Sequence, residues 1–517
     1  MHLRLRRPKH PADYAATAYP ASIERPFVRI AEAGFGDGWN SYPHSMAWFR
    51  DALYVGTTRA NLCSIKAARP PGFVFWPIRC PDDVYEIDRR AEIWRFAPSE
   101  GTWERVYKSP WYVPPGGNPD APAAQRVPRD IGYRGMKVFR GVSDETEALY
   151  VLTWSPSKSG QPSIMLRSTD GREFVPTTPH EEDSTVTTYR ALCAYKGRLF
   201  TAPAGRTAGW KGGKHMGVED CAVGQAVVLE NADPLRRPWR VVNVPSFGDR
   251  GNLAVFDLHA FNDYLYAGTV NAQGFQLWKT DAEGEPPYKW VKVLTQGAHR
   301  GPLNEGIATL CAHGEHLYIG TGIQSGGYDR PLNIGPAAAE ILRVAADDSW
   351  DVVVGSPRKT PRGFKSPISR FGPGFNNFFA GYFWTSGSHD GWLYMGTYDW
   401  SHFYPYMPQE KFPARMARAC RYVSLEQLAA SRAGCELWRT RDGERWEALT
   451  DNGFGNRYNF GIRRLVSTPH GLFVGVANPF GPEVSYKNEQ GQWDYRPNPR
   501  GGLEVWWLQQ NPQRECR

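Results

Sequence analysis

A step of about five residues, Leu-Tyr-x-Gly-Thr, recurs along this chain and limits what it can fold into. It stands at Leu53–Thr57, Leu265–Thr269, Leu317–Thr321 and Leu393–Thr397, and in shortened or altered form at Leu149–Val151, Leu199–Thr201 and Leu472–Gly475. A second step, an apolar run with a basic residue near its end, follows most copies: Glu92–Arg95, Ile164–Arg167, Gln276–Lys279, Glu340–Arg343 and Glu436–Arg439, with Leu503–Trp506 as the last. Short runs rich in aromatic and β-branched residues, bounded by Gly, Asp, Asn and Pro, are strands joined by turns. The stretch from Cys435 to Gly481 holds four of them in succession. One four-stranded unit cannot bury both of its faces, so it must stack on copies of itself.

The last unit runs out of chain after Leu503–Trp506. Its missing strand is at the other end of the sequence, where Phe27–Asp37 matches Trp446–Asn456 in pattern. An N-terminal strand that completes the final unit closes a ring and leaves few sheet edges exposed. The sequence therefore predicts an all-β, seven-bladed β-propeller of four-stranded blades. Residues 1–19 form a lead and 20–517 a single ring, with long inserts at 58–90, 204–224, 322–336, 398–434 and 477–502. Each insert follows the second strand of its blade, which places all of them on one face, and loops on a rigid scaffold are where binding and catalysis concentrate.

The totals narrow the function. The 53 Gly, 42 Pro and 14% aromatic residues suit short strands and many turns. A net charge of +8 is spread along the 517 residues with no basic run, so no nucleic acid partner is expected. Arg4, Arg6, Arg7 and Lys9 are followed by no apolar segment and no later run is long enough to span a membrane, so neither export nor a membrane span is expected. The eight cysteines show no metal-binding spacing. Cys63/Cys80 and Cys420/Cys435 each share a loop and allow local disulfides, but without an export signal the expectation is free thiols in the cytoplasm. Phosphate-cradling glycine loops and zinc-protease, serine-hydrolase and calcium patterns do not occur, so no cofactor is expected; the oligomeric state is left open.

Counting nine residues back from the Leu of the first step gives a register for each innermost strand: His44, Arg190 and Arg463. Aligning Phe139 with Phe49 and Tyr195 adds Arg134, and the other strands contribute Phe256, Ala308 and Trp384. Arginine presents a fixed fork of donors that suits carboxylate, phosphate or phenolate, so Arg134, Arg190 and Arg463 are candidate anion-binding residues. The alternative is that each pairs with a protein carboxylate such as Asp257, Glu305 or Asp399. His44, Tyr133, Tyr189 and Tyr458 lie close by in sequence as acid/base candidates, and His215 and His402 are candidate general bases on the inserts. Trp154, Trp210, Trp384 and Trp400 are candidates for an aromatic wall around a small-molecule ligand. The histidines fall at different levels of the repeat, which argues against a four-histidine iron centre, and no metal site is expected.

Ser168–Phe174 and Thr440–Trp446 resemble the BNR/Asp-box turns found between the third and fourth strands of propeller blades, with one residue fewer between Asp and Gly. The resemblance implies a stabilised outer turn and nothing about substrate. Sialidases share such turns and use an arginine triad, with which Arg134, Arg190 and Arg463 are compared; their six blades and early Arg-Ile/Leu-Pro signature are not matched here. The expected function is an intracellular propeller enzyme acting on an anionic or phenolic small molecule at the channel mouth, by alkylation, cyclisation or hydrolysis. The alternatives are a non-catalytic ligand-, glycan- or protein-binding propeller and a sialidase-like glycoside hydrolase.

Overall fold

The structure is a computed structural model. It describes residues 27–68, 72–113, 126–177, 186–206, 225–329, 332–408 and 431–509, together with the single positions 118, 410, 417, 424 and 427. The lead at 1–19 lies outside the described residues. The fold is all-β and propeller-like, and no helix is long and apolar enough to cross a membrane.

The fourth set of strands shows the repeat most plainly. Asn252–Phe261, Tyr264–Asn271, Leu277–Thr280 and Val291–Leu294 pair antiparallel in order. Sets of the same pattern begin at Asn40–Phe49, Gly132–Phe139, Val186–Tyr195, Gly306–His313 and Ala380–His389. The final set has Gly461–Thr468, Gly471–Ala477 and Glu504–Gln509, and its fourth strand is Val28–Ala31, paired as Val28↔Trp507. Hydrogen bonds alone do not close the assembly: the main strands divide into a 16-stranded and a 12-stranded sheet. Within each sheet, neighbouring sets are joined by single ladder pairs such as Thr58↔Gly132, Val270↔Gly306 and Tyr398↔Gly461.

Packing explains the repeated step residue by residue. Its Leu is buried in the core. Its Gly is where the innermost strand of the next set comes closest. A Cβ on Gly56 would lie 2.7 Å from Tyr133 Cβ, on Gly268 2.6 Å from Ile307 Cγ2, on Gly320 2.7 Å from Phe383 Cβ and on Gly396 2.4 Å from Ile462 Cβ. On Gly475, in the last set, it would lie 2.4 Å from Met46 Sδ in the first. The Thr hydroxyl accepts the backbone N–H that opens the third strand: Glu92 to Thr57, Gln276 to Thr269, Glu340 to Thr321 and Glu436 to Thr397.

The turns before the innermost strands, Gly-Phe at Phe35, Phe375 and Phe454 and Ser-Phe at Phe247, join the second step in one unit. Phe35 stacks on Trp94, Phe247 on Trp278, Phe375 on Trp438 and Phe454 on Trp506, with centroids 4.1–5.0 Å apart. Each indole N–H donates to an acceptor two residues earlier, Glu92, Gln276, Glu436 or Glu504. That acceptor also takes a bond from an Asn side chain beside the turn: Asn40, Asn252, Asn377, and Asn456 with Asn459. Phe35, Phe247, Phe375 and Phe454 all have positive φ, which non-glycine residues adopt only when surrounding contacts hold them. The outer turns at Asp170 and Asp442 are built alike: each carboxylate accepts two backbone N–H groups, Arg172 and Glu173 in one, Glu444 and Arg445 in the other.

Three of the segments between second and third strands interlock over one side of the assembly. Val74 N–H donates to Tyr406 C=O and Ser485 N–H to Pro77 C=O, and Phe73 stacks on Phe403 at 5.6 Å. Cys63 and Cys80 form a disulfide within the first of them. This corrects the expectation of eight free thiols: the two cysteines are brought together by the helix Asn61–Ala68 and the segment packed beside it, and the thiol argument for a reducing compartment falls with them. Cys435 is a free, buried thiol, while Cys420 lies outside the described residues.

Two outcomes follow. Phe454→Ala or Trp506→Ala lowers the unfolding free energy in urea by about 1–3 kcal/mol, as expected for a half-buried stacked pair, whereas Phe364→Ala, at an exposed position, changes it by less than about 0.5 kcal/mol. Proteolytic mapping under non-reducing conditions recovers the Cys63 and Cys80 peptides as one linked species that reductant separates.

Candidate functional site

Every innermost strand carries a register shift at the same level. The shifts fall between Pro43 and Ser45, Tyr133 and Gly135, Tyr189 and Leu192, Val255 and Asp257, Ile307 and Thr309, Phe383 and Thr385, and Ile462 and Arg464. The residues inside them are His44, Arg134, Arg190 with Ala191, Phe256, Ala308, Trp384 and Arg463. A β-bulge adds one residue to a strand and re-aims its side chain, so a bulge repeated at one level gathers these side chains together.

Their contacts are those of a cationic, aromatic-walled site. The Arg134 guanidinium lies over the Trp154 ring at 5.2 Å, Arg190 over Phe256 at 3.5 Å and Arg463 over Trp384 at 4.7 Å. Such pairs hold a guanidinium flat against a ring face. His44 is buried, with its Nδ1 2.5 Å from Thr58 Oγ1, and its ring meets Tyr42 at 5.8 Å and Trp154 at 6.0 Å. Burial, followed by the charges of Arg463, Arg134, Arg464 and Arg190, pushes His44 well below the ordinary histidine value, so the imidazole is neutral. Burial and the like charges of Arg464, Arg190 and Arg134 also push Arg463 well below the usual arginine range.

The residues just past the bulges stitch neighbouring strands. Ser45 Oγ donates to Tyr133 C=O, Asp257 Oδ2 accepts Leu310 N–H, and Thr309 and Ser386 share a hydroxyl hydrogen bond. Arg464 donates to the carbonyls of His44 at 2.9 Å and Arg134 at 3.0 Å, linking the last set to the first two. Burial pushes Asp257 up to about 6, opposed by the Leu310 and Leu258 N–H groups and the charges of Arg464 and Arg190.

The carboxylates named as alternative arginine partners have other bonds. Asp257 accepts Leu258 and Leu310, Glu305 accepts Gln324, and Asp399 accepts Ser401 and Asn377. Burial and the neighbouring Asp329 push Glu305 upward.

The remaining candidates do not gather at this level. Tyr133 is fully buried in the core between the first and second sets, where burial, Asp130 and Tyr107 push its phenol far above the ordinary value. Tyr189 is buried among Leu152, Met165 and Leu199 between the second and third sets. Tyr458, just before the innermost strand of the last set, packs on Phe480 at 5.5 Å, and Trp400 packs on Phe379 at 4.7 Å, both against the aromatic cluster of the interlocked inserts. His402 is buried there too, 5.2 Å from Phe480, with Nε2 unpartnered; burial and then Arg457 push it down to about 3. His215 and Trp210 lie outside the described residues. Arg464 and Thr58 were not singled out from the sequence, although Arg464 adjoins a register residue and Thr58 directly follows a recurring step.

No family model matches the sequence, and comparison with curated proteins returns no match. Among solved structures, the chain is similar to virginiamycin B lyase from Staphylococcus aureus, with a TM-score of 0.44 and 8% identity over 94% of this chain and 100% of the lyase. It is similar to a puromycin hydrolase, with a TM-score of 0.42 and 9% identity over 93% of this chain and 56% of the hydrolase. A GH43_1 enzyme from Xanthomonas citri gives 0.31 and 13% over 63% of this chain and 93% of the enzyme. Likenesses of this size carry nothing about activity.

His402 leaves a mark on acid stability. Folded, it takes up a proton only near pH 3, whereas an unfolded histidine does so near 6.5. Unfolding within that window takes up a proton, so stability falls as pH drops through it, by up to about 1.4 kcal/mol per pH unit. Urea unfolding of His402→Phe between pH 6.5 and 4 shows a flatter decline than the parent; equal slopes refute the assignment.

Proposed function

We propose that the strand sets are the seven blades of one ring, completed by the N-terminal strand and spanning 20–517, and that the level of bulges at its mouth binds an anionic or phenolic small molecule. Ring closure is supported by the contact of Gly475 with Met46, which repeats between the last and first sets the contact made between other neighbours. The outer turns at Asp170 and Asp442 serve as shortened Asp-box-like turns.

The observation that carries the binding reading is the buried guanidinium of Arg463, whose Nε has no hydrogen-bond partner and whose nearest charges are those of other arginines. Burying a cation among cations costs several kcal/mol unless an anion arrives to pair with it. An anionic ligand supplies that partner, and the bidentate donors of arginine give it direction.

For catalysis, the reading assigns His44 as proton acceptor. Its Nδ1 is held by Thr58, leaving Nε2 as the second ring nitrogen; burial and then the surrounding charges keep the ring neutral and a weak base, so it accepts a proton only when a bound anion offsets those charges. The same cationic field stabilises a phenolate or carboxylate formed beside it. His44 and Arg463 are thus the residues on which an enzyme of this kind would turn.

Thermal unfolding with and without inorganic phosphate tests the reading. Phosphate raises the parent's melting temperature in a concentration-dependent way. Arg463→Met, which removes a buried like charge, melts no lower than the parent in phosphate-free buffer and loses the phosphate-dependent rise. A variant that melts lower without phosphate and keeps the full rise refutes the anion site.

A further inference from the structure

The order of residues around the bulge level is not random in chemistry. Taken from the last set onward it reads Arg463, His44, Arg134, Arg190, then Phe256, Ala308, Trp384. The cations and the histidine fill one contiguous arc, and the apolar residues fill the other. Six of these seven side chains are large; the seventh, Ala308, is a methyl group between two aromatic neighbours, in a strand whose Gly306 and Thr309 are also small. Ala308 and Trp384 are both only half-buried, and both pack against the aromatic cluster of the inserts.

Trp384 is a fixed wall. Its ring lies on Gly461, where a Cβ would stand 2.4 Å from Cε3, and it is met edge-on by Tyr398 at 5.2 Å and by Tyr42 and Phe460 at 5.8 Å. The side chain that borders this wall on the cationic arc is Arg463, the guanidinium with the unpartnered Nε. The guanidinium rests on the Trp384 ring, Tyr382 stacks along it at 6.3 Å, and the partly open remainder of the indole is followed around the bulge level by the partly open Ala308.

Building on the anion-binding reading, we propose that the ligand is a planar aromatic anion of the aryl-carboxylate class. Its anionic group meets Arg463 within the field of His44, Arg134 and Arg190, and its ring lies against the open part of Trp384 and the methyl group of Ala308. A small inorganic anion satisfies only the first half of the site, and a neutral aromatic only the second. Both halves together favour a molecule that carries charge at one end and a ring at the other.

Isothermal titration calorimetry with 2-naphthoate, acetate and 2-naphthalenemethanol on the full chain separates the two halves. The expected result is 2-naphthoate binding at least about tenfold tighter than either acetate or 2-naphthalenemethanol. Ala308→Phe fills the ring space and weakens 2-naphthoate about tenfold while leaving acetate within about twofold. If Ala308→Phe fails to fold, Ala308→Val and Trp384→Leu give the same selective loss in smaller measure. Equal affinity for 2-naphthoate and acetate, or loss of neither probe in the Ala308 and Trp384 variants, overturns the aromatic class and leaves the anion site standing. Failure of both acetate and 2-naphthoate to bind the parent chain overturns the anion reading as well.

Discussion

The arrangement depends on the approach of five innermost strands to a glycine in the second strand of the set before each of them. At Gly56, Gly268, Gly320, Gly396 and Gly475 the neighbouring set stands where a Cβ would be. At Gly56, Gly268, Gly320 and Gly396 a side chain would have to displace a β-carbon of the neighbouring strand, and at Gly475 the Met46 side chain and the Pro43 ring, so the spacing between these sets is set by this contact. The Leu and Thr on either side of the glycine then fix depth in the core and the start of the third strand. The Asn–Glu–Trp links and stacked Phe–Trp pairs tie the outer part of each set to the turn that leads into its innermost strand.

That spacing is what makes a site out of the bulges. Side chains from separate sets reach one level because each strand is displaced at the same point, and the residues just beyond, notably Asp257 and Arg464, fasten the strands to each other. The cost of holding several guanidinium groups together is moderated by laying them on aromatic rings and by keeping His44 neutral. In the proposed reading the scaffold maintains a field that an anion completes, and the rigidity of the strands keeps that field in place before any ligand arrives.

Much of this was legible in the sequence because the recurring residues are the contact residues. Gly, Thr and Trp recur where neighbouring strands meet, and the match of Phe27–Asp37 to Trp446–Asn456 reflects two Gly-Phe turns with the same stacked Trp partner type. The level of His44, Arg134, Arg190 and Arg463 was legible because the bulge keeps a nearly constant distance from the recurring Leu. Which neighbours face that level was not. An added residue breaks the two-residue alternation of a strand, so Tyr133 and Tyr189, adjacent to register residues, turn into the core, while Arg464 turns towards the carbonyls of the neighbouring innermost strands. The Cys63–Cys80 bond was one of several pairings that spacing allowed, and only the packing of the insert selects it.

The central claim is that the bulge level receives an anion on Arg463 and a ring on Trp384. The most direct measurement is the crystal structure of the protein soaked with 6-bromo-2-naphthoate, with the bromine located by anomalous scattering. The account predicts a carboxylate within hydrogen-bond distance of Arg463 and a bromine peak beside Trp384 and Ala308. Bromine peaks confined to the insert surface or the outer strands, with the level of His44 and Arg463 unoccupied, would contradict it.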